Sequence, residues 1–199
     1  EEAAEMAQYG AKILHPATIA PAVRCEIPVF VSSSFHDSLG GTWIRKVVKE
    51  QPTVRAITKR NKQALVTITT PKMFNAFGFM SEIFGIFAKH RISVDCVTTS
   101  EIAVAITVDL ATLEHKKLFD ELKEVARVEI DADYELISLI GNDLHIRPKI
   151  AKKIFSAIED TNIRMMSLGA SAHNFNFLVK ESDSNQVINK LHKTLIEGV

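Results

Sequence analysis

Apolar and polar residues follow the same pattern in two stretches of the chain. Sliding the sequence by 71 residues places the run 65–69 on the run 136–140, and the match needs no gap between residues 65 and 108. Each stretch opens with an apolar, β-branched run and continues with apolar residues at helical spacing. Two more strand-like segments and a second helical segment follow in both stretches. The sequence therefore predicts one structural unit that occurs twice.

The elements of the two units correspond along the chain. The paired strand segments are 92–98 and 103–109 in the first unit and 163–168 and 174–179 in the second, and residues 126–130 add a last strand to the first. The order βαββαβ predicts an α+β fold of ferredoxin-like units, in which helices cover one face of a four-stranded antiparallel sheet. The apolar helix positions are Ile83, Phe84, Ile86, Phe87, Leu113, Leu118 and Leu122, and then Ile150, Ile154, Phe155, Ile158, Val187, Ile188, Leu191 and Leu195.

The second unit lacks a final strand, because the sequence stops at Val199. A three-stranded sheet would keep an open edge, which residues 54–58 could cover as a fourth strand. The alternative is that residues 54–58 are a linker. We prefer the completing strand, which makes the first unit (61–131) an insertion in the second (54–60 with 132–199).

Residues 1–50 do not belong to either unit. They predict helices at 2–14 and 17–24, strands at 27–31 and 43–47, and a turn between the strands. This segment has too few apolar residues for a core of its own. It looks like the last part of a larger α/β domain. The chain begins without Met and within a helical pattern, so we expect it to be a piece of a longer protein.

Composition narrows the classes of function. Basic and acidic residues number 24 each, so the net charge is zero and no attraction to nucleic acid or an anionic membrane is expected. No apolar run reaches the ~18 residues of a membrane helix. Cys25 and Cys96 have no neighbouring metal ligands. We therefore expect reduced thiols, no metal site and an intracellular protein.

One group of residues in the first unit has the chemistry of an amino-acid site. Gly78 stands at a predicted helix start, where free backbone N–H groups suit a carboxylate. Asp95 lies in an apolar strand and needs a partner there, and Glu101 follows it closely. A site for one carboxylate with two acceptors for ammonium groups describes a diamino acid.

The second unit keeps the scaffold without these acidic residues. We therefore expect the first unit to bind the ligand and the second mainly to pack. The residues alone leave open that Gly78 is only a turn and that the two acids are surface residues. The counterparts in the second unit are Lys149 for Gly78, Arg164 for Ser93, Met166 for Asp95 and Ala172 for Glu101.

Several motifs together resemble the aspartokinase family over nearly the whole chain. Residues 77–86 (FGFMSEIFGI), 92–95 (ISVD) and 98–101 (TTSE) are similar to the first ACT domain of the lysine-sensitive bacterial class. Residues 139–144 (LIGNDL) and 169–174 (GASAHN) are similar to the second ACT domain. The N-terminal motifs 9–16 (YGAKILHP), 27–29 (IPV) and 40–42 (GGT) are similar to the end of the family's amino-acid-kinase catalytic domain.

The resemblance implies a parent enzyme that uses ATP with magnesium to phosphorylate L-aspartate to 4-phospho-L-aspartate, the first step toward lysine, threonine and methionine. Lys12 matches a family lysine that contacts the nucleotide phosphates. The earlier catalytic segments are missing, so the resemblance implies that this chain alone has no complete catalytic site and no cofactor. It also implies a cytoplasmic location.

The resemblance further implies allosteric feedback inhibition by L-lysine, bound in the first ACT domain of a homodimer. Ala76 departs from the family pattern, which has a serine there, and a hydroxyl contact worth roughly 0.5–1.5 kcal/mol would be lost. Which acid meets which ammonium group stays open. The positions that match lysine contacts are Met73, Gly78, Phe79, Met80, Ser93, Val94, Asp95, Thr99, Ser100 and Glu101.

Three functions follow from these expectations. The chain is a lysine-binding, dimerising sensor of an aspartokinase, or the same module of a bifunctional parent fused to a homoserine dehydrogenase or a decarboxylase. The third function is an ACT pair that serves only as a dimerisation scaffold. A lysine titration separates the first from the third.

Overall fold

The computed structural model describes residues 2–11, 16–36, 39–45, 52–73 and 77–198. The helices of this part are α1 (Glu2–Gln8), α2 (Pro16–Arg24), α3 (Phe79–Lys89), α4 (Lys116–Val125), α5 (Pro148–Ala157) and α6 (Glu181–His192). The strands are β1 (Val29–Ser32), β2 (Gly41–Ile44), β3 (Val54–Thr69), β4 (Val97–Thr99), β5 (Ala103–Asp109), β6 (Arg127–Gly141), β7 (Met165–Leu168) and β8 (Asn174–Lys180). Residues 12–14 of the first predicted helix and 46–47 of the predicted strand 43–47 lie outside the described ranges.

The strands of the two units pair in the same register, as the sequence repeat predicts. In the first unit Leu65 lies opposite Thr107, and in the second Leu136 lies opposite Leu178, each residue 71 positions further on. Both units have two helices on one face of an antiparallel sheet. The α+β fold of ferredoxin-like units is therefore confirmed.

Strands β3 and β6 each run through both units. The six strands of the joint sheet have the order β4-β5-β3-β6-β8-β7. Residues 127–130 and 136–140 lie on the single strand β6, because no chain reversal separates them. Lys62 in β3 and Asp133 in β6 have φ angles of 55° and 63°, and the pairing register shifts between Arg60 and Leu65. Each long strand is thus interrupted locally where it passes from one unit to the other.

The first half of β3 supplies the fourth strand of the second unit. Residues 54–60 pair with the end of β6, from Val54 opposite Gly141 to Arg60 opposite Leu136. The second half of β3 pairs with β5 on one side and with residues 127–131 on the other. We keep the domain limits 61–131 and 54–60 with 132–199 as a proposal; they fall beside the interruptions in β3 and β6.

Each helix pair buries an apolar stripe on its own half of the sheet. Phe79, Ile83 and Phe87 are four residues apart on α3 and are all buried against β3 and β5. In the second unit Ile150 and Ile154 hold the same place on α5. Phe155 was expected to face inward but is 39% exposed, because it lies about 100° around the helix from that stripe.

A third apolar cluster lies on the sheet faces opposite the helices. It contains Leu65 from the first unit and Leu178 from the second, whose neighbours along each strand point instead to the helices. The edge strands also meet, because Thr98 Oγ1 donates a hydrogen bond to the Met166 carbonyl at 3.1 Å. The two units therefore pack on each other through their helix-free faces.

Candidate functional site

The start of α3 presents backbone donors that have no side-chain cap among the described residues. Gly78 is the N-cap residue, with φ 83° and no capping side chain. The N–H groups of Phe79, Met80 and Ser81 have no acceptor within the helix, because the first intrahelical bond runs from Glu82 to Gly78. A Cβ on Gly78 would meet no described atom within 4 Å. Glycine is therefore favoured here by its left-handed backbone, and the expected close approach of a ligand stays a prediction.

The other candidate residues of the first unit divide into a packed group and an exposed group. Four of them pack on the apolar cluster beneath α3. Four others are exposed: one lies before β4, and three lie at its end or just after it. The packed residues are Met73, Phe79, Met80 and Val94, and the exposed residues are Ser93, Thr99, Ser100 and Glu101.

Asp95 lies in a bulge just before β4. The Asp95 N–H donates to the Thr107 carbonyl, while the next residue, Cys96, donates to Thr107 Oγ1 and accepts from the Thr107 N–H. Two residues therefore oppose one, which is the arrangement of a β-bulge. Strand β4 was expected to begin at residue 92, but regular pairing starts only at Val97. The bulge breaks the alternation of the strand, so Asp95 lines the same cavity as its neighbour Cys96, while Val94 packs on the helix side.

Arg60 is the partner that Asp95 was expected to need. Its Nη1 forms an ion pair with Asp95 Oδ1, and the Asp95 side chain is 16% exposed. The sequence interpretation assigned this carboxylate to a ligand ammonium group and missed Arg60. No signal for this pairing was present in the sequence, because Arg60 follows the predicted strand 54–58 among other basic residues (KRNK, 59–62).

A polar cavity of about 360 Å³ lies next to this ion pair. Residues 95–97 line one side, α1 with Tyr9 lines a second, and residues of β7, of β8 and of the loop between them line the rest. Burial raises the pKa of the Cys96 thiol. Burial and the nearby Glu5 carboxylate raise the pKa of Tyr9. Both groups therefore stay protonated and neutral near pH 7.

Helix α1 is fixed to the proposed second unit (54–60 with 132–199) by hydrogen bonds along its length. Glu2 accepts from Arg55 at 2.7 Å and from Asn142 at 2.8 Å. Glu5 accepts from Ser171 at 2.8 Å and from Asn174 at 2.7 Å. The carbonyl of Gln8, at the C-terminal end of α1, accepts from Arg60 Nη2. Sequence reasoning did not identify any of these contacts.

Two residues of the expected sites, Lys12 and Ala76, lie outside the described ranges. The nucleotide contact of Lys12 and the effect of Ala76 on lysine binding therefore stay predictions. Within the described ranges, no three His, Cys, Asp or Glu side chains are placed to hold a metal ion. In the same part of the chain no helix has the length and apolar character needed to cross a membrane.

The chain is similar in sequence to proteins of a known family. Residues 137–195 match the ACT domain model. Over 98% of its length the chain is 46% identical to lysine-sensitive aspartokinase 3 of Escherichia coli, of which it covers 45%. The chain belongs to the aspartokinase family and corresponds to its regulatory region. It spans less than half the length of this curated aspartokinase.

Two solved aspartokinase structures share its fold closely. The structure of E. coli aspartokinase III in complex with aspartate and ADP (R-state) has a TM-score of 0.89 and 46% identity. The structure of the same protein with lysine and aspartate (T-state) has a TM-score of 0.87 and 47% identity. In both cases the match covers 98% of this chain and 45% of the aspartokinase chain.

Proposed function

We propose that this aspartokinase regulatory region binds L-lysine in its first ACT unit and thereby inhibits a parent enzyme that phosphorylates L-aspartate with ATP and magnesium. One observation carries the proposal: the uncapped start of α3, Asp95 and Glu101 occur in the first unit, and Lys149, Met166 and Ala172 replace them in the second. The lysine complex of the E. coli relative supports the choice of effector. The parent acts in the cytoplasm.

The charges of these residues suit lysine better than a neutral amino acid. The free N–H groups at the start of α3 bind the α-carboxylate, which any amino acid carries. The Asp95 and Glu101 carboxylates accept from the two ammonium groups, and at Asp95 the ammonium group competes with Arg60. Met73, Phe79, Met80 and Val94 supply apolar surface for the lysine methylenes, and Ser93, Thr99 and Ser100 line the exposed side.

L-lysine is expected to raise the melting temperature of the chain, and L-threonine is expected to leave it almost unchanged. A ligand at 100 times its Kd stabilises the folded state by about 2.7 kcal/mol, whereas threonine has no distal cation for the second carboxylate. Thermal unfolding at matched ionic strength measures both. If threonine protects as well as lysine does, the acidic residues do not select the ligand.

We also propose that the first unit forms a homodimer. Phe77 is fully exposed and Ile102 is 47% exposed, and both adjoin candidate lysine positions in the sequence. Exposed apolar side chains of this size mark interaction surfaces when they lie together. The zero net charge offers no repulsion between copies.

Sedimentation velocity at micromolar concentration is expected to give about twice the chain mass of 22.1 kDa. Phe77→Asp should shift the population toward monomer, because it places a charge in the proposed interface. The matched control is Ile146→Asp, at a position in the second unit that is 65% exposed. A monomer with and without lysine would contradict the proposal, as would equal effects of the two substitutions.

A further inference from the structure

Arg60 contacts two parts of the chain that lie far apart in sequence. Its guanidinium reaches Asp95 through Nη1 and the Gln8 carbonyl through Nη2. Within the described ranges, no other side chain is hydrogen-bonded or ion-paired to both α1 and Asp95. One planar cation therefore joins the candidate effector carboxylate to the end of the N-terminal helix.

The backbone next to Arg60 also holds α1 closely. A Cβ on Gly10 would lie 2.5 Å from the carbonyl oxygen of Lys59, and Gly10 has a φ of 105°. The chain leaving α1 thus passes directly over β3 beside Arg60. The Arg60 side chain bonds to this same segment, at the Gln8 carbonyl.

The other polar contacts of α1 involve neither Arg60 nor Asp95. Glu2 bonds to Arg55 and Asn142, and Glu5 bonds to Ser171 and Asn174. Each of these partners belongs, like Arg60, to the proposed second unit (54–60 with 132–199). None contacts Asp95. Among the described residues, Arg60 is therefore the one whose side chain bonds to both Asp95 and α1.

We propose that Arg60 is the positioning residue that couples effector binding at Asp95 to helix α1. An ammonium group at Asp95 competes with the guanidinium for the carboxylate and repels it, because both are cations. Arg60 then loses its anchor, and its bond to the Gln8 carbonyl weakens. The end of α1 loosens as a result. This coupling rests on the proposed lysine site, but the Arg60 link itself exists without a ligand.

Hydrogen exchange of residues 2–11 in the full chain measures the coupling. Without lysine, Asp95→Asn is expected to speed exchange at the Tyr9 and Ala11 amides about threefold to tenfold, since these amides close the end of α1. Arg60→Gln should have the same effect. The double variant should be no faster than either single variant, because both substitutions break the same link.

Arg164→Gln is the matched control. It removes an Arg–Asp ion pair of 2.7 Å with Asp131, a pair that is more exposed than the Arg60–Asp95 pair and does not involve α1. Exchange of residues 2–11 should be unchanged in this variant. Equal acceleration by Arg164→Gln, or additive effects of Asp95→Asn and Arg60→Gln, would overturn the Arg60 link.

Lysine separates this inference from the proposed function. Saturating lysine should speed exchange in the unsubstituted chain to the level of Arg60→Gln, and it should change exchange in Arg60→Gln little although calorimetry still detects binding. Lysine that binds without changing exchange of residues 2–11 overturns the coupling and leaves the lysine site standing. Absence of lysine binding overturns the lysine site and with it the coupling to an effector, while the ligand-free variants still decide whether the link exists.

Discussion

Replacing Asp95 by alanine is expected to weaken L-lysine binding about tenfold or more. A charge-assisted hydrogen bond in a partly desolvated site contributes roughly 1.5–3 kcal/mol, and ~1.4 kcal/mol corresponds to one factor of ten in Kd. Asp95 is largely buried in the first unit, with a side chain that is 16% exposed, so solvent compensates little for its loss. Isothermal titration calorimetry measures the change.

Two further variants keep this prediction interpretable. Asp95→Asn preserves the shape of the side chain and should weaken lysine nearly as much, which shows that the charge matters. Met166→Ala changes the counterpart in the second unit, where the side chain is 44% exposed, and should leave the lysine Kd unchanged. Lysine binding as tight in Asp95→Ala as in the unsubstituted chain would show that the effector binds elsewhere.

Gly141→Ala is expected to destabilise the chain by about 2–3 kcal/mol, the range of a severely overpacked site. Gly141 ends β6 where the start of β3 passes over it, and an added Cβ would lie 1.9 Å from the Thr53 carbonyl oxygen. That oxygen is backbone and also accepts from the Asn142 N–H, so it has little freedom to move. The pairing between the start of β3 and the end of β6 must then open.

Urea unfolding measures this effect, with Gly85→Ala as the control. At Gly85, inside α3, an added Cβ would meet no described atom within 4 Å. Alanine should therefore stabilise the helix there by about 0.5–1 kcal/mol. With a urea m-value of about 2 kcal/mol/M, Gly141→Ala should lower the midpoint by roughly 1 M. Equal midpoints for the two variants would contradict the crowding at residue 141.

The repeat made most of the fold predictable from the sequence. A shift of 71 residues aligns helices, strands and, in the structure, the pairing register of Leu65 and Leu136. Apolar residues in helical and strand patterns depend on local burial, and each unit buries its own helix-covered face. Local patterns therefore sufficed for these elements.

The joining of the units and the state of Asp95 could not be predicted in the same way. Lys62 interrupts β3 and Asp133 interrupts β6, because each has a left-handed backbone conformation. Neither position is a glycine or a proline, so the sequence does not indicate an interruption there. The bulge at Asp95 depends on its pairing with β5, and the Arg60 partner comes from 35 residues earlier. Contacts of this kind arise from tertiary packing, which periodicity does not report.

The central claim is that L-lysine binds in the first unit. A structure from crystals of this chain grown with L-lysine tests it most directly. The claim predicts one lysine per first unit, its carboxylate on the N–H groups that follow Gly78 and an ammonium group within hydrogen-bond distance of Asp95 or Glu101. Lysine bound only in the second unit, near Met166 and Ala172, would contradict it, as would lysine-saturated crystals with no lysine at the start of α3.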